Sequence, residues 1–416
     1  MLALHGGQPV VTTTLEPYNS IGSEEIEAAV SVLQTGKLSG FLAKSGPQFL
    51  GGPHVRQLES KVAAYVGVKH AISVNSWTSG LICSIGALDL EPGDEVITSP
   101  WTMCATATSI LHFNCIPVFA DIDPLTFNLC PASVAKRISP RTKAILAVDI
   151  FGLSCDVSAL SQLAKQNNLA FITDSAQSPL ATVDNQYAGT LSDIGGYSFN
   201  SHKHIQTGEG GLLFTNSDIY ARRMQLLRNH AEACLLPGDS RSNMVGYNFR
   251  LGELEAAIAL QQFIKLPNIV SQRQHFASQL TEGLATLPGL ITPYIPQGYT
   301  HAYYVYPLII DSNIYPGQRQ HIVDALSAEG VPVISGYTNI HLLPMFQEKQ
   351  AYGSSHFPWS LNEAIQYDYS PGTLPIAEKL HNETFICLGL CNHHLTPEII
   401  TEFITAFHKV WSFLPL

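Results

Sequence analysis

The chain is short of charge. Lys, Arg, Asp and Glu make up 13% of its 416 residues, about half the ~25% usual in globular proteins. So few charges mean a large core, or surface hidden against a partner. Basic residues are the scarcer sign, 22 against 33 acidic, for a net charge of −11. That excludes nucleic-acid binding through general basicity, but leaves open recognition of one phosphate at a local site. No apolar run approaches the ~18 residues that would span a bilayer. The opening MLALHGGQPVVTTT has no basic segment followed by an apolar one, so no secretory signal is expected. No Cys-x-x-Cys pair occurs, and the eight scattered cysteines read as reduced core thiols of a cytosolic protein. Cys387 and Cys391 lie near His393 and His394, yet this short cluster lacks the spacing of a ligand set, so no metal is expected. There is no internal repeat, and 31 Gly with 25 Pro exclude collagen-like and low-complexity classes.

What is there is a globular composition, 45% apolar, in a chain long enough for one to three domains. The segments 70–75, 94–99, 116–122, 143–148, 169–174, 194–199 and 211–215 read as strands. Several are apolar almost throughout, as expected when helices cover both faces of a sheet. Helical stretches lie between most of them; one over 156–168 opens with Asp156 as an N-cap. Repeated βα units predict an α/β fold with a mostly parallel open sheet. After about residue 250 the pattern changes. Long helices are expected over 250–266 and 271–287, then a strand at 303–310 and helices at 318–330 and 397–411. This is the pattern of a smaller C-terminal α+β domain. The division is expected at 265/266, with residues 1–20 as an N-terminal arm. Residues 345–375, rich in aromatics, Gly, Ser and Pro, read as a long loop that is functional or mobile.

Three segments carry chemistry. In YSFNSHKHIQTGEGG (197–211) a strand end leads to Lys203 and then a glycine-rich turn. Lys203 is a candidate Schiff-base nucleophile; a surface lysine before a hairpin is the plainer alternative. In FITDSAQS (171–178), Asp174 ends an apolar strand at the sheet edge where open α/β folds bind ligands. A carboxylate there suits the pyridine nitrogen of pyridoxal phosphate, which it keeps protonated so that the ring acts as an electron sink. Gln177 could then donate to the ring hydroxyl. The alternative for Asp174 is a helix N-cap. In NSWTSGL (75–81), Thr78 and Ser79 open a helix, where free amides and the helix dipole favour phosphate; ordinary capping predicts the same residues.

Together the three segments supply a phosphate cradle, a pyridinium partner and a lysine, in that order along the chain. The sequence resembles the DegT/StrS-type sugar aminotransferase family over nearly its whole length. The resemblance is carried by GGPHVRQLE (51–59), PGDEVITSPWTMCATATSIL (92–111), ADIDPLTFNL (120–129), SFNSHKHIQTGEGG, RNHA (228–231), GYNFRLGELEAAIALQQF (246–263), HLLPMF (341–346) and LPIAEKL (374–380). It implies an aspartate-aminotransferase-like fold, with a seven-stranded sheet between helices, and pyridoxal 5'-phosphate cycling through its pyridoxamine form. Lys203 would carry the cofactor and shuttle a proton, Asp174 would pair with the pyridine nitrogen and Gln177 with the ring hydroxyl. Thr78, Ser79 and Ser198 would hold the phosphate. Asn248 would reach the phosphate of a neighbouring subunit in a homodimer with shared sites. The ring-covering position falls at Met103, with Trp101 two residues earlier as the other candidate. His202 and His341 would face the substrate.

The resemblance implies transfer of an amino group from glutamate or glutamine to a keto sugar, a nucleotide-linked 3- or 4-keto hexose above others. A cyclitol or other non-nucleotide ketone is the alternative acceptor. A sugar dehydratase of the same fold would carry histidine in place of Lys203. A non-catalytic sensor would be favoured by loss of Lys203 or Asp174, and both are present. The chain departs from the family pattern at Trp77, where Gly is usual and where a large ring could narrow the phosphate turn. It departs also at Asp149 and His204, and in an extra stretch near 40–51 expected beside the substrate.

Overall fold

The computed structural model describes residues 1–232, 244–362 and 364–414. Cys234 lies outside them. Seven strands form the central sheet: β1 (His70–Val74), β2 (Glu95–Thr98), β3 (Ile116–Phe119), β4 (Thr142–Val148), β5 (Ala170–Asp174), and, after a short hairpin of β6 (Thr182–Val183) and β7 (Gln186–Tyr187), β8 (Ile194–Ser198) and β9 (Gly211–Thr215). Their spatial order is β1-β9-β8-β5-β4-β2-β3. All neighbours are parallel except β9, which runs antiparallel to both β1 and β8.

The strands are nearly continuous apolar runs because both faces are covered, and alternation along each strand sorts its residues between them. Leu146 and Ile172 face one way and pack with Leu81, Ile110 and Met224 of helices α3 (Trp77–Ala87), α4 (Cys104–His112) and α7 (Asp218–Arg228). Ile145, Ala147 and Phe171 face the other way and pack with Val134 and Leu160 of α5 (Pro131–Arg137) and α6 (Val157–Gln166). Asp156 caps α6 as expected, accepting from the Ala159 N–H at 3.0 Å. Helices α1 (Ser23–Thr35) and α2 (Pro53–Val66) complete the layer through α8 (Glu253–Leu284).

Helix α8 corrects one expectation. The sequence predicts two helices, one on either side of Pro267; the structure has a single helix of 32 residues with Pro267 inside it. An interior proline costs ~3 kcal/mol, and packing on both sides of it offsets that cost. Ala256, Leu260, Phe263, Leu266 and Val270 belong to a core shared with α2. Ala277, Leu280 and Leu284 belong to the C-terminal core. The expected division at 265/266 thus falls within a helix that serves both cores. Lys265 of α8 also ion-pairs with Glu25 of α1 at 2.6 Å.

The C-terminal part holds a second, antiparallel sheet of β10 (Leu290–Ile291), β11 (Tyr306–Ile310), β12 (Val333–Ser335) and β13 (Phe385–Leu388), in the order β10-β11-β13-β12. Around it lie α9 (Arg319–Ala328), α10 (Pro344–Gln347), α11 (Pro375–Lys379) and α12 (Pro397–Trp411). The N-terminus is tied down here, with Leu2 buried in this core.

Residues 345–375 are less free than their composition suggests. Trp359, Tyr367 and Tyr369 are buried. The Tyr369 hydroxyl donates to the Pro117 carbonyl at 2.8 Å and receives the Trp359 indole N–H at 2.9 Å. The Tyr367 hydroxyl donates to Glu95 at 2.8 Å. The segment therefore covers β3, the edge strand of the main sheet, and shields an edge that would otherwise be open to pairing.

Candidate active site

Strand β5 ends at Asp174 and β8 ends at Ser198, both near the middle of the sheet. Helix α3 begins at Trp77 directly after the turn that leaves β1. These carboxyl-end features surround a cavity of about 260 Å³. Its lining includes Thr78, Met103, Asp174, Gln177, Ser198, His202 and Lys203, so seven of the residues singled out in the sequence converge there. Ser76, Trp77, Thr106, Asn200, Glu209, Tyr304 and Tyr337 also line it.

Asp174 is buried and accepts from three donors. The Trp77 indole N–H reaches Oδ1 at 2.6 Å, the Ala176 N–H reaches the same oxygen at 3.3 Å, and the Thr106 hydroxyl reaches Oδ2 at 2.9 Å. Burial pushes its pKa up; the Trp77, Thr106 and Ala176 donors and the charge of Lys203 oppose that shift. Lys203 shows the mirror image: burial pushes its amine down and the Asp174 charge pushes it up. Lys203 Nζ stands 4.4 Å from the centre of the Tyr304 ring. Gln177 accepts the Phe151 N–H at 2.7 Å through Oε1. That leaves its amide group to donate, and it bonds the Tyr337 hydroxyl.

At the other end, Thr78 and Ser198 line the cavity but Ser79 does not. The Ser79 hydroxyl donates to Asn75 Oδ1 at 2.7 Å and its N–H donates to Ser76 Oγ at 3.1 Å. Ser76 is thus the N-cap of α3 and also lines the cavity, while Ser79 is turned into the capping contacts. Met103 and Trp101 also separate. Trp101 is fully buried among Phe127, Phe151 and Phe385, with its N–H on Asn339 at 2.8 Å. Met103 stands exposed at the cavity wall.

His341 lies outside the cavity lining: it is buried, with Nε2 3.3 Å from Glu378. His202 sits at the cavity wall, tilted against Tyr304. Asn248 is exposed and outside its own chain's cavity, pairing through its backbone with Asn229. The stretch near 40–51 does not line this cavity either. Asn229 holds it by donating to the Leu42 and Phe49 carbonyls, each at 3.0 Å. Gly46, Pro47 and Leu50 border a different cavity, with His70 and Asp218.

Asp149 lies behind the site. It accepts from Ser175 Oγ at 2.5 Å and from the Cys155 N–H at 2.8 Å, and burial pushes its pKa up to about 6. It ties the loop after β4 to the turn after β5. His204 is likewise structural: fully buried and held neutral by burial, it donates from Nε2 to the Ala302 carbonyl at 2.8 Å.

Reasoning from the sequence missed Thr106, Tyr304 and Tyr337, and it noticed Trp77 only as a departure. Tyr304 and Tyr337 come from the C-terminal part, and no local pattern marks them. Thr106 sits in the first turn of α4, and only its distance to Asp174 gives it meaning.

A lysine amine, a buried carboxylate and a helix N-terminus around one cavity, on this sheet order, define an α/β enzyme of the aminotransferase class. Residues 21–401 match the DegT/DnrJ/EryC1/StrS aminotransferase family. The chain is 33% identical to the spore coat polysaccharide biosynthesis protein SpsC of Bacillus subtilis, over 82% of this chain and 87% of that one. It is 34% identical to the GDP-perosamine synthase of Caulobacter vibrioides, over 71% of this chain and 79% of that one. The X-ray structure of an aminotransferase from Psychrobacter cryohalolentis superposes with a TM-score of 0.83 at 27% identity, covering 96% of this chain and 99% of that one. The protein belongs to the DegT/DnrJ/EryC1/StrS aminotransferase family.

Proposed function

We propose that the protein uses pyridoxal 5'-phosphate to move an amino group from glutamate or glutamine to a nucleotide-linked 3- or 4-keto hexose. The observation that carries this reading is the convergence of Lys203, Asp174 and Gln177 on one cavity that the start of helix α3 also lines. The donor set fits the cofactor. A buried carboxylate suits the pyridine nitrogen, an amide donor suits the ring hydroxyl, and hydroxyls of Thr78 and Ser198 beside a helix N-terminus suit a phosphate. Bound there, the cofactor supplies an electron sink for the carbon that gains or loses the amine.

The chain's own residues do the rest. Asp174, whose donors oppose the upward push of burial, would keep a proton on the ring nitrogen. Lys203 would anchor the cofactor and, once freed, carry a proton to and from the reacting carbon, a role that its basicity, lowered by burial, favours. Met103 covers the ring face and excludes water. A wider cavity of about 500 Å³ shares Thr102, Met103 and Tyr337 with the first and gives room for a substrate larger than an amino acid. The sugar-nucleotide names of the Caulobacter relative and of a UDP-linked glucosamine aminotransferase support a nucleotide-linked acceptor, while relatives named for a scyllo-inosose keep a cyclitol as the alternative.

The working unit in this reading is a homodimer in the cytoplasm. Ile26, Val30 and Leu33 form an exposed apolar stripe along α1, spaced to lie on one helix face. Asn248, exposed and outside its own cavity, is free to serve a second copy. The seven cysteines among the described residues are free thiols, in keeping with a reducing compartment.

The test is direct. Cofactor-loaded protein should show a visible absorption band that bleaches with glutamate or glutamine. The amine-loaded protein, offered a panel of keto sugars, should aminate a nucleotide-linked one, seen by product mass. Bleaching without any sugar product would sink the acceptor assignment; no bleaching would sink the chemistry.

A further inference from the structure

The side chain at the first position of α3 is a tryptophan, and the surrounding backbone is built to receive it. A Cβ at Gly80 would fall 2.8 Å from the Trp77 ring, and one at Gly196 would fall 2.5 Å from it. At Gly211 a Cβ would lie 3.1 Å from the Trp77 Cα. Gly80 and Gly196 thus leave the space the indole fills, although at Gly196 the Leu212 carbonyl would be closer still at 2.0 Å, and Gly211 makes room for the Trp77 backbone. The ring is buried, yet it borders the cavity and its one polar atom is spent on Asp174 at 2.6 Å. The other three tryptophans donate to neutral oxygens: Trp101 to Asn339, Trp359 to the Tyr369 hydroxyl and Trp411 to the Pro288 carbonyl. Trp77 alone of the four donates to a carboxylate.

We propose that Trp77 is the positioning residue of Asp174: with Thr106 on the opposite oxygen, it fixes the carboxylate's orientation and keeps it anionic opposite the cofactor ring. The proposal rests on the reading of Asp174 as partner of the pyridine nitrogen. Its physical basis is the cost of an ionised carboxylate in a buried site, which donors to the charged form offset. Hydrogen bonds to charged groups are among the stronger ones in proteins. Thr106 supplies the second, and is itself held by Thr102 at 2.7 Å. The other titratable groups that act on Asp174 are Lys203, Asp149 and Tyr337. None of them replaces the indole N–H.

The test compares wild type, Trp77→Phe, Asp174→Asn and the double variant as full-length protein. Two quantities are read: the dissociation constant for pyridoxal 5'-phosphate, and the pH at which the visible band of the loaded protein changes. Trp77→Phe should weaken cofactor binding about tenfold, the scale of one hydrogen bond to a charged group. It should also move the band transition to higher pH, because a ring that loses its nitrogen proton leaves the lysine-linked nitrogen more basic. Asp174→Asn should do both more strongly. In that background Trp77→Phe should add little, since a residue acting through another shows no independent effect. An undiminished effect in the double variant would mean that Trp77 acts by packing alone, and would overturn the proposal. So would an unchanged Trp77→Phe. An unchanged Asp174→Asn would overturn the cofactor assignment on which it rests. If Trp77→Phe fails to fold, the indole N–H resonances of the ¹⁵N-tryptophan protein decide. One of the four should move upfield in Asp174→Asn; four unmoved signals would overturn the proposal.

Discussion

The amine of Lys203 lies 4.4 Å from the centre of the Tyr304 ring. Burial makes a charged lysine costly here, and a π face returns part of that cost, ~0.5–2 kcal/mol for a cation over an aromatic ring. The Tyr304 hydroxyl is itself pushed up by burial, so it stays neutral at working pH. The ring, rather than the hydroxyl, is the group that acts on Lys203.

Two substitutions separate ring from hydroxyl. Tyr304→Phe should leave the basicity of Lys203 unchanged in cofactor-free protein. Tyr304→Leu should lower it by roughly half a unit to one unit, the equivalent of ~1 kcal/mol. The pH profile of Lys203 acylation, followed by peptide mass, measures both. Equal shifts in the two variants would assign the effect to the hydroxyl instead.

Lys203→Ala should abolish both transamination and the visible band. No second lysine lines the cavity, and covalent attachment and proton movement both need an amine at that place. The purified variant, assayed with glutamate and a keto sugar, should show neither spectral bleaching nor product. Turnover retained by the pure variant would contradict the role of Lys203.

Asp149 gives a prediction about stability and pH. Burial raises its pKa from 3.8 to about 6. The folded state therefore holds this proton more tightly than the unfolded chain does. Between those values the folded protein binds more protons, so this group's contribution to stability falls as pH rises from about 4 to 6 and is flat above. The span is up to ~3 kcal/mol at ~1.36 kcal/mol per unit. An asparagine side chain cannot titrate, so the melting temperature of wild type minus that of Asp149→Asn should fall across that window. Asp149→Ala should cost ~1–3 kcal/mol at neutral pH, because Ser175 and the Cys155 N–H lose their buried acceptor. A pH-independent difference between wild type and Asp149→Asn would show that the carboxyl is not shifted.

The strands were legible because the sheet is covered on both faces. A segment such as Lys143–Val148 has few other ways to bury so many apolar side chains. Asp174, Gln177, Ser198 and Lys203 were legible for a related reason: strand ends of an open α/β sheet are where ligand groups gather, and Asp174 and Ser198 end strands while Gln177 and Lys203 lie in the segments just after them. Helix α8 was misread because Pro267 is a strong local signal, and only the cores on either side of it show why the helix continues. The hold on residues 345–375 was hidden because Tyr369 and Tyr367 bond to Pro117 and Glu95, 252 and 272 positions away. Ser79 was expected at the phosphate for a finer reason: it suits a helix start, but its hydroxyl and N–H are taken up by Asn75 and by the N-cap Ser76, contacts that the sequence does not encode. Trp77 looked like an obstruction. Its N–H partner turns it into part of the Asp174 site.

Asn248 is exposed and separate from the cavity that holds Lys203 in the same chain. If it serves the neighbouring subunit, each active site draws Lys203 from one chain and Asn248 from the other. Two inactive variants test this, Lys203→Ala and Asn248→Ala. In a mixed dimer one site carries both substitutions and the other carries neither. Mixing the variants under conditions of subunit exchange should therefore restore activity, up to about one quarter of wild type for random re-pairing of equal amounts. The measurement requires that Asn248→Ala alone be severely impaired, and that exchange be confirmed by mass of differently tagged chains. Charge-bearing substitution of the α1 stripe, Val30→Glu with Leu33→Lys, should shift sedimentation at micromolar concentration from dimer toward monomer if that stripe joins the copies. Confirmed exchange without recovery would place Asn248 in its own chain's structure only, and a wild-type monomer in sedimentation would rule out the shared site.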